Sequence, residues 1–281
     1  MIVQRISPAP SVSNYIREYL LVHLVFNTQT APPIKAYPVN PEEGITFQIK
    51  GLLSAEQPDL GITEKRSKTY FFGQPILRQN LHQEYEFMLV HVRFHPGYLF
   101  QLFKIPMTEL LNKNIDAELI LGHATIEEIN DQLANAPNYL AIPPILDTFF
   151  NKYISKLKHD VQPIDTIGRM ILANPQNFNL DKTAKAACLS HRQFERRFVN
   201  QLGVPPKHYA RICRFYEAYI LKDTRPELNW QDIAFDTGYT DYQHLVKDFK
   251  QFAGTSPNIL LEQTYLNPER RLNISNEFKG L

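Results

Sequence analysis

The sequence holds only two cysteines, Cys188 and Cys213, in 281 residues, too few for a disulfide framework or a zinc set. It holds no apolar run of 18 residues, so no membrane span is expected. The start, Met1-Ile2-Val3-Gln4-Arg5-Ile6-Ser7-Pro8, has no basic segment leading into an apolar one, and no secretory signal is expected from it. There is no phosphate-binding glycine loop, no Gly-x-Ser-x-Gly and no assembled catalytic triad. These absences point away from secreted disulfide scaffolds, membrane proteins and enzymes, and toward a cytoplasmic protein without a cofactor.

Length and composition allow two packed domains, with hydrophobic residues making up 43% of the chain. The net charge of +1 carries no message, but its distribution does. Lys182, Lys185, Arg192, Arg196, Arg197, Lys207, Arg211 and Arg214 face a single acid, Glu195, over residues 182–214. That is a local footprint for a polyanion, with a solvated surface as the plainer reading.

The front half reads as strand-rich. Tyr19–Phe26 is a short apolar run, and Gly44–Lys50 alternates with Ile45, Phe47 and Ile49 on one face. Thr69–Phe72 and Glu86–Phe94 read as further strands, with Pro32, Pro33, Pro38, Pro41, Gly44 and Pro58 punctuating the loops. A sandwich or cupin-like barrel buries such runs. Short helices are expected at Tyr98–Phe103, at Thr125–Ala136 and after Pro143-Pro144, where Ile145, Phe149, Tyr153 and Leu157 form a stripe that either packs inward or pairs two chains. His91, Arg93 and His95 alternate, and a metal site there would need His82, Glu84 or Glu86 to complete it. The cupin His-x-His with its downstream ligands is missing, so hydrogen-bonded side chains are the simpler reading and no metal is assigned. The polar bridge from Lys156 to Pro163 divides a domain at 1–159 from one at 160–265, followed by a tail at 266–281.

From Pro163 onward the pattern is all helix, opening with the stripe Ile164, Ile167, Ile171 and Leu172. A repeat at an offset of 51 residues follows. Ser190 and Asp241 are N-cap residues, Phe194/Phe198 and Leu245/Phe249 are apolar i, i+4 pairs, Arg196 and Lys247 lie between them, and Gly203 and Gly254 are each followed three residues later by proline. A short helix precedes each unit, Leu180–Ala187 and Trp230–Thr237, giving helix-turn-helix twice, with Pro206–Asp223 as the connecting helix.

The motifs Ser190-x3-Phe-x-Arg-x-Phe-x4-Gly-x2-Pro, Arg214-x3-Ala218-x2-Leu221 and Ile233-Ala234-x3-Gly238-Tyr239-x-Asp241-x2-His244-x4-Phe249-Lys250-x3-Gly254-x-Ser256-Pro257 resemble the AraC/XylS family of bacterial transcription regulators over residues 165–262. Val92–Gly97, Leu110-Leu111 and Ile115-Asp116 are similar to the strand-rich N-terminal domain of one branch of that family. The resemblance implies an α+β chain: a strand-rich domain with helices, then an all-α double helix-turn-helix domain that binds double-stranded DNA in successive major grooves. It also implies activation by placement beside RNA polymerase, and an N-terminal domain that senses a small effector, forms a homodimer, or both. The rivals are a ligand-free dimerisation or protein-interaction module and, further off, a metalloenzyme domain fused to a DNA reader.

The DNA-facing candidates are Ser190, His191, Arg192, Glu195 and Arg196 in the first unit, and Tyr242, Gln243, His244 and Lys247 in the second. Arginine suits the O6/N7 edge of guanine, glutamine suits adenine, glutamate accepts from cytosine, and Lys247 suits phosphate. Two alternatives stand beside these: Arg196 pairs with a carboxylate inside its own domain, and His244 is a packing or capping histidine. The second unit is net acidic, through Asp232, Asp236, Asp241 and Asp248, so the first unit is expected to dominate affinity. Cys188 stands where the first turn of the family has glycine, and Leu245 and Lys247 replace the usual Phe and Arg.

Overall fold

The structure, a computed structural model, describes residues 1–157 and 162–271. The expected domain boundary at 159/160, with residues 158–161 of the polar bridge, and residues 272–281 of the tail lie outside the described residues. The first part holds ten strands: β1 Ile2–Ile6, β2 Ile16–Val25, β3 Lys35–Tyr37, β4 Gly44–Lys50, β5 Ser54–Gln57, β6 Ile62–Lys65, β7 Thr69–Phe72, β8 Gln79–His82, β9 Glu86–Phe94 and β10 Asn114–Asp116. They form a six-stranded antiparallel sheet, ordered β1-β2-β9-β4-β7-β10, and a smaller sheet, ordered β3-β8-β5-β6. The four strands expected from the apolar runs all lie in the larger sheet.

Helices α1 (Tyr98–Phe103), α2 (Glu118–Leu121), α3 (His123–Ala134) and α4 (Ile142–Ile154) complete this domain. The residues at odd positions of β4 and even positions of β9, such as Ile45, Phe47, Val90 and Val92, pack against Ile126, Ile129, Leu146, Phe149 and Phe150 of α3 and α4. The smaller sheet covers part of the opposite face, where Leu53 meets Val3, Leu20, Leu24 and Leu89. This makes three layers and explains a departure from the expected half-exposed β4. Thr46 and Gln48 are buried too and are satisfied by hydrogen bonds: Thr46 Oγ1 lies 2.6 Å from His91 Nδ1, and Gln48 Oε1 accepts from Leu53 N–H at 2.7 Å. The α4 stripe is likewise internal. Phe149 is buried, Tyr153 packs at a tilt against Phe149 and Phe103, and Leu157 lies past the end of the helix. The helix starts before Pro143-Pro144, not after them, because proline is tolerated where first-turn N–H groups have no intrahelical partner.

The second part is helical: α5 Pro163–Ala173, α6 Leu180–Ala186, α7 His191–Leu202, α8 Pro206–Thr224, α9 Trp230–Asp236, α10 Tyr242–Ala253, α11 Pro257–Tyr265 and α12 Pro268–Arg271. Ile164, Ile167 and Ile171 of α5 join Phe194, Phe198, Tyr209 and Cys213 in one core. Ile233, Leu245, Phe249 and Leu260 join Ile212, Phe215 and Ile220 in a second. The two cores meet opposite sides of α8, which therefore carries both units.

The N-terminal domain packs on both of these cores. Val39 is fully buried in the second one, and its N–H donates to Phe252 O at 3.0 Å. Ile76 touches both cores, and Leu111 touches the first. The recognition helices end at Gly203 and Gly254, both in the left-handed region (φ 80° and 70°). A Cβ on Gly203 would lie 2.9 Å from Met107 O, and one on Gly254 would collide with the Arg78 guanidinium. Glycine thus meets two demands at each site: the C-cap conformation and close approach by the other domain.

Glu43 is buried beside this junction. One carboxylate oxygen accepts from Leu99 N–H at 3.0 Å and the other has no hydrogen-bond partner. Burial pushes its pKa up to about 8, against the pull of the backbone N–H groups of Leu99, Gly97 and Tyr98. The fold therefore holds more protons here than the unfolded chain does. This contribution to stability is complete below the ordinary value of 4.5 and is lost as pH rises through about 8. In Glu43→Gln the thermal midpoint is expected to gain on that of the wild type as pH rises across this window; parallel curves would contradict the assignment.

Candidate nucleic-acid interface

In each unit the apolar i, i+4 pair turns inward and fixes which side chains remain outside. Phe194 and Phe198 are buried, leaving His191, Arg192, Glu195, Arg196 and Arg197 exposed on α7. Leu245 and Phe249 are buried, leaving Gln243, His244 and Lys247 exposed on α10, with Tyr242 half-buried. Ala184 and Ala234, both buried, let α7 and α10 cross the preceding helices closely. Ser190 closes a capping box: its Oγ accepts from Gln193 N–H, and Gln193 Oε1 accepts from Ser190 N–H at 3.2 Å. Asp241 caps α10 by accepting from His244 N–H at 2.9 Å.

The alternatives left open by the sequence resolve differently. Among the described residues Arg192 and Arg196 have no ion-pair partner, so the internal pairing considered for Arg196 is not formed. His244 folds back onto its own N-cap, Nδ1 lying 3.0 Å from Asp241 Oδ2. His191 is held by Asp181 of α6 at 3.0 Å, in an exposed pair. Arg192 with Arg196, and Gln243 with Lys247, are four residues apart, so each pair shares a helix face.

The repeat is not uniform. The first helices, α6 and α9, are offset by 50 residues, and the recognition helices by 51. Thr240 is the added residue, in the turn of the second unit. Both turns still use one scheme. Cys188 N–H donates to Lys185 O and Leu189 N–H to Ala184 O; Gly238 N–H donates to Phe235 O and Tyr239 N–H to Ala234 O. Cys188 therefore takes the glycine conformation, with φ 55° against 77° at Gly238. The substitution leaves the turn intact and stores strain in it.

Two members of the basic run serve the fold. Arg211 ion-pairs with Asp248, which is 5% exposed and also accepts from Tyr239 Oη at 3.1 Å. Arg214 donates to Gly238 O at 3.1 Å and lies 4.6 Å over the Tyr239 ring. These contacts lock the second turn onto α8. They join residues far apart in sequence, so no periodicity announces them, and they remove Arg211, Arg214 and Asp248 from the outward charge balance. Lys182, Lys185, Arg197 and Lys207 remain exposed around the first unit.

In the N-terminal domain, His91, Arg93 and His95 do not converge. His91 meets Thr46, Arg93 ion-pairs with Glu18 and Glu42, and His95, past the end of β9, meets Ser13 O at 3.2 Å. Among the described residues no group of three or more His, Cys, Asp or Glu side chains is placed to hold a metal ion.

Comparison with known proteins matches residues 183–263 to the model of a helix-turn-helix domain and residues 4–116 to a domain of unknown function, DUF6597. An 88-residue segment is 28% identical to the HTH-type transcriptional regulator MtrA of Neisseria gonorrhoeae, covering 31% of this chain and 29% of MtrA. The chain thus matches less than a third of that relative's length. The fold is similar to that of unsaturated-fatty-acid-bound ToxT from Vibrio cholerae, with a TM-score of 0.51 at 13% identity over 87% of this chain and 95% of ToxT.

Cys188→Gly is expected to raise stability by roughly 0.5–1 kcal/mol, the relief of left-handed strain exceeding the added freedom of the unfolded chain. Denaturant unfolding checks this; a lower midpoint would mean that the thiol contributes packing that outweighs the strain. The paired turns, the shared linker helix and the matched helix-turn-helix model lead to one assignment: residues 183–263 belong to a helix-turn-helix domain, here a double one, behind a strand-rich N-terminal domain.

Proposed function

We propose that the protein is a sequence-specific transcription regulator that places α7 and α10 in two successive major grooves on one side of a DNA duplex, and that it spans a sensing or pairing domain near residues 1–159 and a DNA-reading domain near residues 160–265. The observation that carries this reading is the pair of outward recognition faces on one 19-residue helix, with Arg192, Arg196 and Lys247 held by no ion pair among the described residues. That helix is about 28 Å long at 1.5 Å per residue, close to the roughly 34 Å that separates equivalent grooves.

Arg192 and Arg196 read guanine edges, with Glu195 orienting them or accepting from a cytosine amino group. Ser190 and His191 lie at the phosphate-facing start of α7. In the second unit Gln243 reads adenine, Lys247 contacts phosphate, and Tyr242 and His244 line the helix start. The N-terminal domain senses a small effector, pairs with a second copy, or does both. Its rigid seat on both units supports the sensing role, because a change inside it reaches each recognition helix. Regulation then follows from how the DNA domain is presented at a promoter beside RNA polymerase, with activation as the expected sense.

Selection from random duplexes at fixed salt tests the residue assignments. Arg192→Ala and Arg196→Ala are each expected to lose about 1–3 kcal/mol of discrimination at one position of the selected site. Lys247→Ala is expected to weaken binding to all sequences alike and to reduce the salt slope by roughly one. Arginine variants that enrich the wild-type motif unchanged would overturn the base-reading role.

A further inference from the structure

The N-terminal domain contains two buried arginines, and the fold treats them differently. Arg93 faces two carboxylates, Glu18 at 2.9 Å and Glu42 at 3.1 Å. Among the described residues Arg66, 6% exposed, has no carboxylate in ion-pair contact, and Glu64 acts on it only from a distance. Its Nη2 donates to Gln79 Oε1 at 2.9 Å, its guanidinium lies 5.6 Å from the centre of the Tyr70 ring, and its Nη1 is buried with no hydrogen-bond partner. Desolvation is the largest influence on it and lowers its pKa. A buried cation without a counter-ion is costly, and an orphaned donor in a folded core calls for a partner.

Arg66 lines a cavity of about 60 Å³ between the two sheets. That is room for a few heavy atoms, on the order of four water-sized positions. Tyr70, Gln79 and His91 give it a polar side, and Leu77, Leu81 and Leu110 an apolar one. Glu42 also borders it, but Tyr37 Oη at 2.8 Å and Arg93 occupy its oxygens. One guanidinium with an open N–H, set against leucines, matches a single carboxylate on a short apolar body.

The walls of this cavity run directly into the contacts with the DNA-binding units. Tyr37 and Pro38 precede Val39, Pro75 and Leu77 flank Ile76, and Leu110 and Asn112 flank Leu111. Asn112 ties two of these segments together, its Oδ1 accepting from the N–H groups of Ile76 and Leu77 at 3.0 and 3.1 Å.

We propose that Arg66 anchors a small monocarboxylate in this cavity, and that its binding reaches both helix-turn-helix units through residues 37–39, 75–77 and 110–112. The inference rests on reading the chain as a regulator with an effector-sensing domain, and it supplies that effector's chemical class and anchoring residue.

Thermal unfolding of the full chain with acetate and propionate, each against its uncharged amide, tests it in the wild type and in Arg66→Met. At least one carboxylate is expected to raise the wild-type midpoint where its amide does not, and to change affinity for the selected duplex. Arg66→Met is expected to fold with an unliganded midpoint equal to or above that of the wild type, to bind the duplex, and to bind the carboxylate about tenfold to a hundredfold more weakly. The proposal is overturned if neither carboxylate outperforms its amide on the wild type, if Arg66→Met keeps the response, or if that variant is destabilised outright, which would make Arg66 structural. Duplex binding without any carboxylate response would sink this inference alone; a carboxylate response in a chain that selects no duplex would sink the regulator reading and leave the pocket standing.

Discussion

Two helix ends, those of α7 and α10, rest on the N-terminal domain, and the geometry of the candidate DNA surface depends on that seating. Each recognition helix ends in a left-handed glycine, and the other domain packs against each glycine: Met107 at Gly203 and Arg78 at Gly254. Val39 adds a buried side chain and a backbone hydrogen bond to the second unit. The helices are thus fixed from two sides, by α8 through the cores and by the N-terminal domain at their C-terminal ends. Their N-terminal halves, with Arg192, Arg196, Gln243 and Lys247, stay open. Packed interfaces tend to switch between discrete arrangements instead of deforming continuously, so any change in this seat would reach both units together.

The electrostatics follow from the same division. Asp248 sits inside the second unit, where Arg211 and Tyr239 neutralise and hydrogen-bond it. Removing Arg211 would leave a buried charge uncompensated, the costly case for an internal pair. The outward charge left on the first unit is strongly basic. On the second, Lys247 and Lys250 stand against the exposed Asp232, Asp236 and Asp241, the last of which is occupied as a helix cap. The asymmetry expected between the units survives, though with a smaller basic run and one fewer exposed acid.

The repeat was legible because helix stops and caps are local chemistry: Ser190, Asp241, Gly203 and Gly254 stand where sequence reasoning puts them. The main strands were legible for the same reason, as apolar runs set off by proline and glycine. The short strands of the smaller sheet were not, because β5, β6 and β8 carry few apolar residues and exist through pairing with one another. Long-range side-chain locks were invisible as well. Nothing near Arg211 in sequence announces Asp248, and nothing near Arg66 reveals that it lacks the carboxylates Arg93 has. The difference between Thr240 and its missing counterpart in the first turn was visible in the letters, but a single offset for the whole repeat hid it.

The central claim is that both units engage one DNA molecule at once. Hydroxyl-radical footprinting of the full chain on its selected duplex tests it most directly. Two protected segments are expected on one face of the duplex, about one helical turn apart. A single protected segment, or two segments on opposite faces, would contradict it, because α8 and the N-terminal seat hold α7 and α10 in one fixed arrangement.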